Sequence, residues 1–147
     1  MVERRLKFVQ MMIDRGFDKL ASIYLPQKDL REGFQSCYWW WRIRFVAENM
    51  TCTREEFCEA LSAEGVRIGA HYRAALPAAM EWFQDRASKH PWNNPLYKGD
   101  PNAVYATPNC DKVMDTDMVF FINESYGEVE ADKIMAAFKK VTDAFAK

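Results

Sequence analysis

Between Glu3 and about Ser22 the apolar residues Leu6, Val9, Ile13, Phe17 and Leu20 recur at steps of three and four, with charged residues between them. That spacing gathers them on one side of a 3.6-residue turn and predicts an amphipathic helix, which tolerates Gly16 at some cost. The stretch "SIYLPQKDLREGFQSC" then mixes Pro, Gly and charge, predicting a short extended piece and a loop. From Tyr38 to Val46 aromatic and β-branched residues run without a breaker, the signature of a strand. At a period of two, Trp39, Trp41, Ile43 and Phe45 share one face, and Tyr38, Trp40, Arg42 and Arg44 the other. The first face is expected in the core, under helices.

Thr53 and Glu56 in "TCTREEF" have the spacing of a capping box, in which each side chain satisfies an exposed backbone N–H of the first turn. The helix they open is predicted from Arg54 to about Glu64, ending at Gly65, whose missing Cβ permits the left-handed position beyond a helix end. "VRIGAHY", Val66 to Tyr72, alternates as a second strand, and Pro77 fits the first turn of a short helix. Lys89 to Asp111 holds four prolines with many Asn and Asp. An irregular stretch of that length inside a domain is characteristically functional or mobile. "DMVFFIN" is a third strand. Ser125 and Glu128 are spaced as a second capping box, before a helix whose stripe is Val129, Ile134, Phe138, Val141 and Phe145. The order predicts an α/β domain of the α+β two-layer kind: a largely antiparallel sheet of three or four strands with helices on one side. Residues 1–147 are read as one domain, with a leading helix over 1–22, a core over 36–147 and a long Pro-rich loop over 89–111.

Composition narrows the function. Of 147 residues, 49% are apolar, 20 are Lys or Arg and 21 are Asp or Glu, a formal charge of −1. Near neutrality argues against nucleic acid as the partner, since backbone binding needs a concentrated excess of cations. The four cysteines (Cys37, Cys52, Cys58, Cys110) lack zinc spacing, so no metal site and a reduced, cytoplasmic setting are expected. No apolar run approaches the roughly 20 residues of a membrane span, so no membrane association is expected. "MVERRLKF" is too charged for a signal peptide and opens as though already inside a helix, an expectation of a segment cut from a longer chain.

Candidate chemistry is sparse, and each candidate has a structural alternative. His71, at the end of the second strand with Tyr72 beside it, suits a general base or ligand contact, or an edge histidine bonded to backbone, the reading that the general satisfaction of polar groups favours. His90 opens the Pro-rich loop. Arg42 and Arg44 suit a carboxylate or phosphate, or a solvated face with arginines lying over tryptophan. Asn123, Glu124 and Ser125 lie where strand hands over to helix, a place for anions or simply for caps. Trp92, Asn93 and Asn94 suit a lid or a structural loop. There is no P-loop, G-x-G-x-x-G, G-x-S-x-G or metal-spaced set, so no complete catalyst is expected.

Taken in order, "CYWWWRIRF", "TREEFCEALSAEGVRIGAHY", "HPWNNPLYKGD" and "ATPNCDKVMDTDMVFFINESYGEVEADKIMAAFKKV" resemble the C-terminal small domain of the DegT/DnrJ/StrS family. The likeness runs from about Tyr38 to Val141, and the opening helix matches the one that leads out of the large domain. These are pyridoxal-phosphate aminotransferases of the aspartate aminotransferase fold type, many acting on nucleotide-linked keto-sugars or cyclitols. The resemblance implies an N-terminal cofactor-binding domain as partner, which carries the Schiff-base lysine, and a homodimer in the parent enzyme. No catalytic residue is then expected here, and no cofactor bound by this chain alone. Lys7, Lys19 and Lys28 lack the context of that lysine. His71, Tyr72, Trp92, Asn93 and Glu124 would stand near the substrate, with Arg42 and Arg44 as anion contacts. The family follows its His-Tyr with proline, whereas Arg73 stands here, which puts the substrate role of His71 in doubt. The alternatives are a freestanding α/β module that binds a small molecule or a protein without catalysis, and, least favoured by the charge, a binder of single-stranded nucleic acid through the aromatic strand.

Overall fold

The computed structural model describes residues 1–29, 31–70, 76, 80–84, 91–100, 103 and 106–147. In chain order the helices are α1 (Val2–Asp14), α2 (Arg54–Ala63), α3 (Glu81–Gln84), α4 (Pro108–Thr116) and α5 (Glu128–Phe145). The strands are β1 (Ile23–Tyr24), β2 (Trp41–Phe45), β3 (Ile68–Gly69) and β4 (Asp117–Phe120). Two compact units result: one holds Met1–Ala70 and Thr116–Lys147, the other His71–Asp115. The second unit thus falls, in sequence, between β3 and β4 of the first, within what the sequence reading takes as one domain.

In the first unit four strands form an antiparallel sheet in the order β1-β2-β4-β3. The register sets Trp41 opposite Phe120, Ile43 opposite Met118, Ile23 opposite Phe45 and Ile68 opposite Phe120. Because side chains alternate, these residues share one face, and all are buried. The helices close over it. Phe8 of α1 and Phe138 of α5 meet Phe120 at 6.4 and 5.8 Å between ring centroids, and Phe57 of α2 meets Phe45 at 5.3 Å. Helices on one side of an antiparallel sheet make the α+β two-layer class that the hydrophobic pattern predicts.

Several local expectations shift, each for a stated cause. The first helix stops at Asp14, and Gly16 at φ 84° turns the chain so that Phe17 enters the core from a 3-10 turn. The buried side of α1 is Arg5, Phe8, Val9 and Met12, while Leu6 and Ile13 are only half-buried. The strand starts at Trp41 rather than Tyr38, since Tyr38 sits at φ 46° and breaks the extended backbone. Alternation therefore does not reach Trp39, which is 61% exposed and not a core residue. At α2 the expectations hold: Thr53 Oγ1 accepts from the Glu56 N–H at 3.2 Å, Glu56 Oε2 accepts from the Thr53 N–H at 2.8 Å, and Gly65 has φ 86°.

The last helix starts two residues later than Ser125 predicts. Glu130 Oε2 accepts from the Gly127 N–H at 2.9 Å, and the Ser125 hydroxyl turns back to donate to Asn123 Oδ1 at 2.8 Å. Val129 is consequently 59% exposed, while Ala131, Phe138 and Val141 are buried. In the second unit α4 begins at Pro108, so the end of the Pro-rich stretch is helical. Pro77, His90 and the strand end at His71–Tyr72 lie outside the described residues.

Candidate functional site

The face of the sheet turned from the core carries Tyr24, Arg42, Arg44, Asp117 and Val119. Arg42 forks onto the nearly buried Asp117: its Nε donates to Oδ1 at 3.0 Å, and a terminal nitrogen pairs with Oδ2. A planar guanidinium suits this two-point grip, which fixes both groups. Burial, the largest influence, pushes the Asp117 carboxyl above the usual aspartate range, and Arg42, Arg54 and Arg44 pull it back. Arg44 stands opposite Asp117 in the register yet pairs with no carboxylate among the described residues. Its guanidinium lies 6.0 Å from the ring of Tyr24, its cross-strand neighbour, and its Nε is buried without a hydrogen-bond partner. The two arginines that the sequence treats alike are thus distinct. Arg42 is held by an internal acid, whereas Arg44 touches no carboxylate among the described residues.

Glu124 is also committed internally. It pairs with Arg5 of α1, a buried arginine whose guanidinium lies 5.0 Å from the ring of Trp39. A backbone N–H first, and Arg5 in addition, hold the Glu124 carboxyl below the usual range. Asn123 Oδ1 accepts from the Ser125 N–H at 2.9 Å as well as from its hydroxyl, so the strand–helix junction is a side-chain-capped turn.

Beside this junction an aromatic cleft of about 310 Å³ is walled by Trp39, Trp40, Arg67, Phe121, Asn123 and Tyr126. Trp40 meets Phe121 edge-on at 5.9 Å, and the Arg67 guanidinium lies 4.9 Å over the same ring. Arg67 is exposed and has no carboxylate partner among the described residues. A cation over an electron-rich ring at the mouth of an aromatic cleft suits a flat anion. Sequence reasoning missed Arg5, Arg67 and Phe121. The signal lay in the residues just outside the short strands, where alternation gives no guidance.

In the second unit Trp92 packs between Phe83 and Tyr97, with ring centroids at 5.9 and 5.2 Å, so it forms a local aromatic core. Asn93 is exposed in the turn Pro91–Asn93. His71 and Tyr72 lie outside the described residues. Among the described residues no group of three His, Cys, Asp or Glu could hold a metal. All four cysteines are free thiols, and burial pushes that of Cys58 up to about 12, leaving it unreactive near neutrality. Among the described residues no helix is long and apolar enough to cross a membrane.

The described residues form a small antiparallel α+β unit in which Arg44 and Arg67 have no carboxylate partner among the described residues. No known protein family matches the chain, and no curated protein matches its sequence. Its fold is similar to part of a solved structure, the aminotransferase TlmJ from Streptoalloteichus hindustanus, with a TM-score of 0.65 at 14% sequence identity. The likeness covers 97% of this chain and 32% of that one, so the chain spans about a third of that aminotransferase's length. What the two share is the fold.

Aminotransferases generally use pyridoxal phosphate, which requires a lysine amine beside a phosphate cradle and a carboxylate for the ring nitrogen. The described residues do not fit it. The aromatic cleft holds neither lysine nor carboxylate. A smaller hollow that contains Lys133 is flanked by Glu64 and Glu130, whose charges repel a phosphate.

Proposed function

We propose that the chain is the substrate-side cap of a pyridoxal-phosphate-dependent aminotransferase of the DegT/DnrJ/StrS kind, working with a separate cofactor-binding domain that carries the lysine. The amino acceptor in this reading is a nucleotide-linked keto-sugar or a cyclitol-type ketone, and the complete enzyme is a cytoplasmic homodimer. One observation carries it: nearly the whole chain follows the fold of one third of an aminotransferase. The ordered segments from "CYWWWRIRF" to the last helix support the narrower family reading. Arg44, with no acid partner among the described residues, supplies the anion contact, while Arg42 and Glu124 serve the scaffold through Asp117 and Arg5. His71 and Tyr72 are assigned to the substrate side on the resemblance alone.

The test is to express the chain together with the coding sequence that adjoins it in its genome. Bound cofactor is then read by absorbance, and amino transfer from glutamate to a nucleotide-linked keto-sugar by product mass. Cofactor binding with turnover is expected. A folded product that binds no pyridoxal phosphate contradicts the reading.

A further inference from the structure

The aromatic cleft of about 310 Å³, at the other end of β2 from Arg44, is walled by groups that the proposed cap role leaves unused. Trp39 is 61% exposed, and the Arg5 guanidinium lies over its ring at 5.0 Å. Arg5 is itself buried and paired with Glu124, so a paired cation backs a large apolar ring that stands open to water. On the same cleft Trp40 and Phe121 meet edge-on at 5.9 Å. Past the end of β4 the Phe121 N–H donates to the Arg67 carbonyl at 3.1 Å, which brings these two residues side by side. The Arg67 guanidinium lies 4.9 Å over the Phe121 ring, is exposed, and makes no hydrogen bond or ion pair among the described residues. Asn123, exposed as well, accepts two hydrogen bonds from Ser125 at its Oδ1, which fixes the amide and leaves Nδ2 as an open donor. Among the described residues no carboxylate walls the cleft, and Arg67 is its one charged side chain.

We infer that this cleft is a binding site for a flat, fused-ring aromatic carboxylate. A hollow of about 150 Å³ accepts one benzene-sized ring, so about twice that volume suits two fused rings. The rings pack on Trp39 and against Trp40, where offset or edge-on contact between aromatic faces adds to simple burial. Because Arg67 is exposed, its fork can grip a carboxylate at the cleft mouth while its plane stays on Phe121. One unpaired guanidinium matches one negative charge, which favours a carboxylate over a doubly charged phosphate. Binding of this kind needs neither a cofactor nor the aminotransferase role.

The test follows the Trp39 indole N–H by nitrogen–proton NMR in the 147-residue chain, assigned by its loss in Trp39→Phe. The probes are naphthoate, its neutral amide naphthamide, cyclohexanecarboxylate and naphthyl phosphate. A saturable shift with naphthoate is expected, with binding about tenfold tighter than the amide, the factor one charge-assisted hydrogen bond carries. Cyclohexanecarboxylate, which keeps the charge and lacks the flat rings, should bind about tenfold more weakly than naphthoate. Arg67→Gln should bring naphthoate to the level of the amide, and the naphthoate–naphthamide comparison in the unaltered chain stands if that variant fails to fold. No saturable shift up to the solubility of naphthoate, equal affinity for acid and amide, or tighter binding of naphthyl phosphate overturns the inference.

Discussion

Two arginine–carboxylate pairs flank the sheet with their burial reversed. In Arg42–Asp117 the acid side chain is 4% exposed and the arginine 26%. In Arg5–Glu124 the arginine side chain is 8% exposed and the acid 30%. The acid's proton affinity follows the difference: burial raises Asp117, while a backbone N–H and Arg5 lower Glu124. Two pairs that look alike as contacts therefore store their risk in opposite members. Removing the exposed partner strands the buried charge, and removing the buried partner releases a charge that can reach water.

The largest expected effect is that of Arg42→Met, which leaves Asp117 buried without its directly bonded partner, with only the weaker pull of Arg54 and Arg44 remaining. A loss of about 3 kcal/mol in urea unfolding near neutral pH is expected, shrinking as the pH falls and Asp117 protonates. A loss that is the same at acid and neutral pH breaks the comparison. Asp117→Asn should cost less, about 1 kcal/mol, because Arg42 can turn to solvent; the reverse ranking would assign the burial wrongly. Glu124→Gln strands the buried Arg5 and should destabilise the chain while changing the fluorescence of Trp39, which lies under that guanidinium. Arg44→Gln should leave stability within about 0.5 kcal/mol, since Arg44 touches no carboxylate among the described residues and acts on Asp117 only as the weakest of three arginines, while weakening anion binding in the proposed enzyme.

The smallest effect is the titration itself, read from the carboxyl carbons by NMR. Asp117 should show a midpoint above the unfolded value of about 3.9 and Glu124 one below about 4.3. The contribution of Asp117 is then fully present below about 3.9 and lost as pH rises through its folded value. That of Glu124 is present above about 4.3 and lost as pH falls through its folded value. Midpoints displaced to the same side would remove the reversal.

The fold was legible wherever a local rule acts alone. The period of two in Trp41, Ile43 and Phe45 sets the core face, and Thr53, Glu56 and Gly65 bound α2 because caps depend on neighbours in sequence. It failed where a local rule meets a backbone break. Tyr38 at φ 46° ends the alternation before Trp39, and the Asn123–Ser125 turn draws Ser125 away from the helix it was expected to cap. The candidate site was half legible. Composition and spacing single out Arg42, Arg44 and Glu124, but only tertiary pairing separates Arg44 from the other two. Arg5 carried no signal, since a charged residue in an amphipathic helix reads as solvent-facing until a long-range partner buries it.

In the proposed enzyme this chain caps an active site whose cofactor is held elsewhere. The most direct measurement is borohydride reduction of the complete protein with pyridoxal phosphate, followed by peptide mass analysis of the labelled lysine. Stoichiometric label on one lysine outside residues 1–147 is expected. Stoichiometric label on a lysine within them, lost on a single Lys→Ala change, would contradict it.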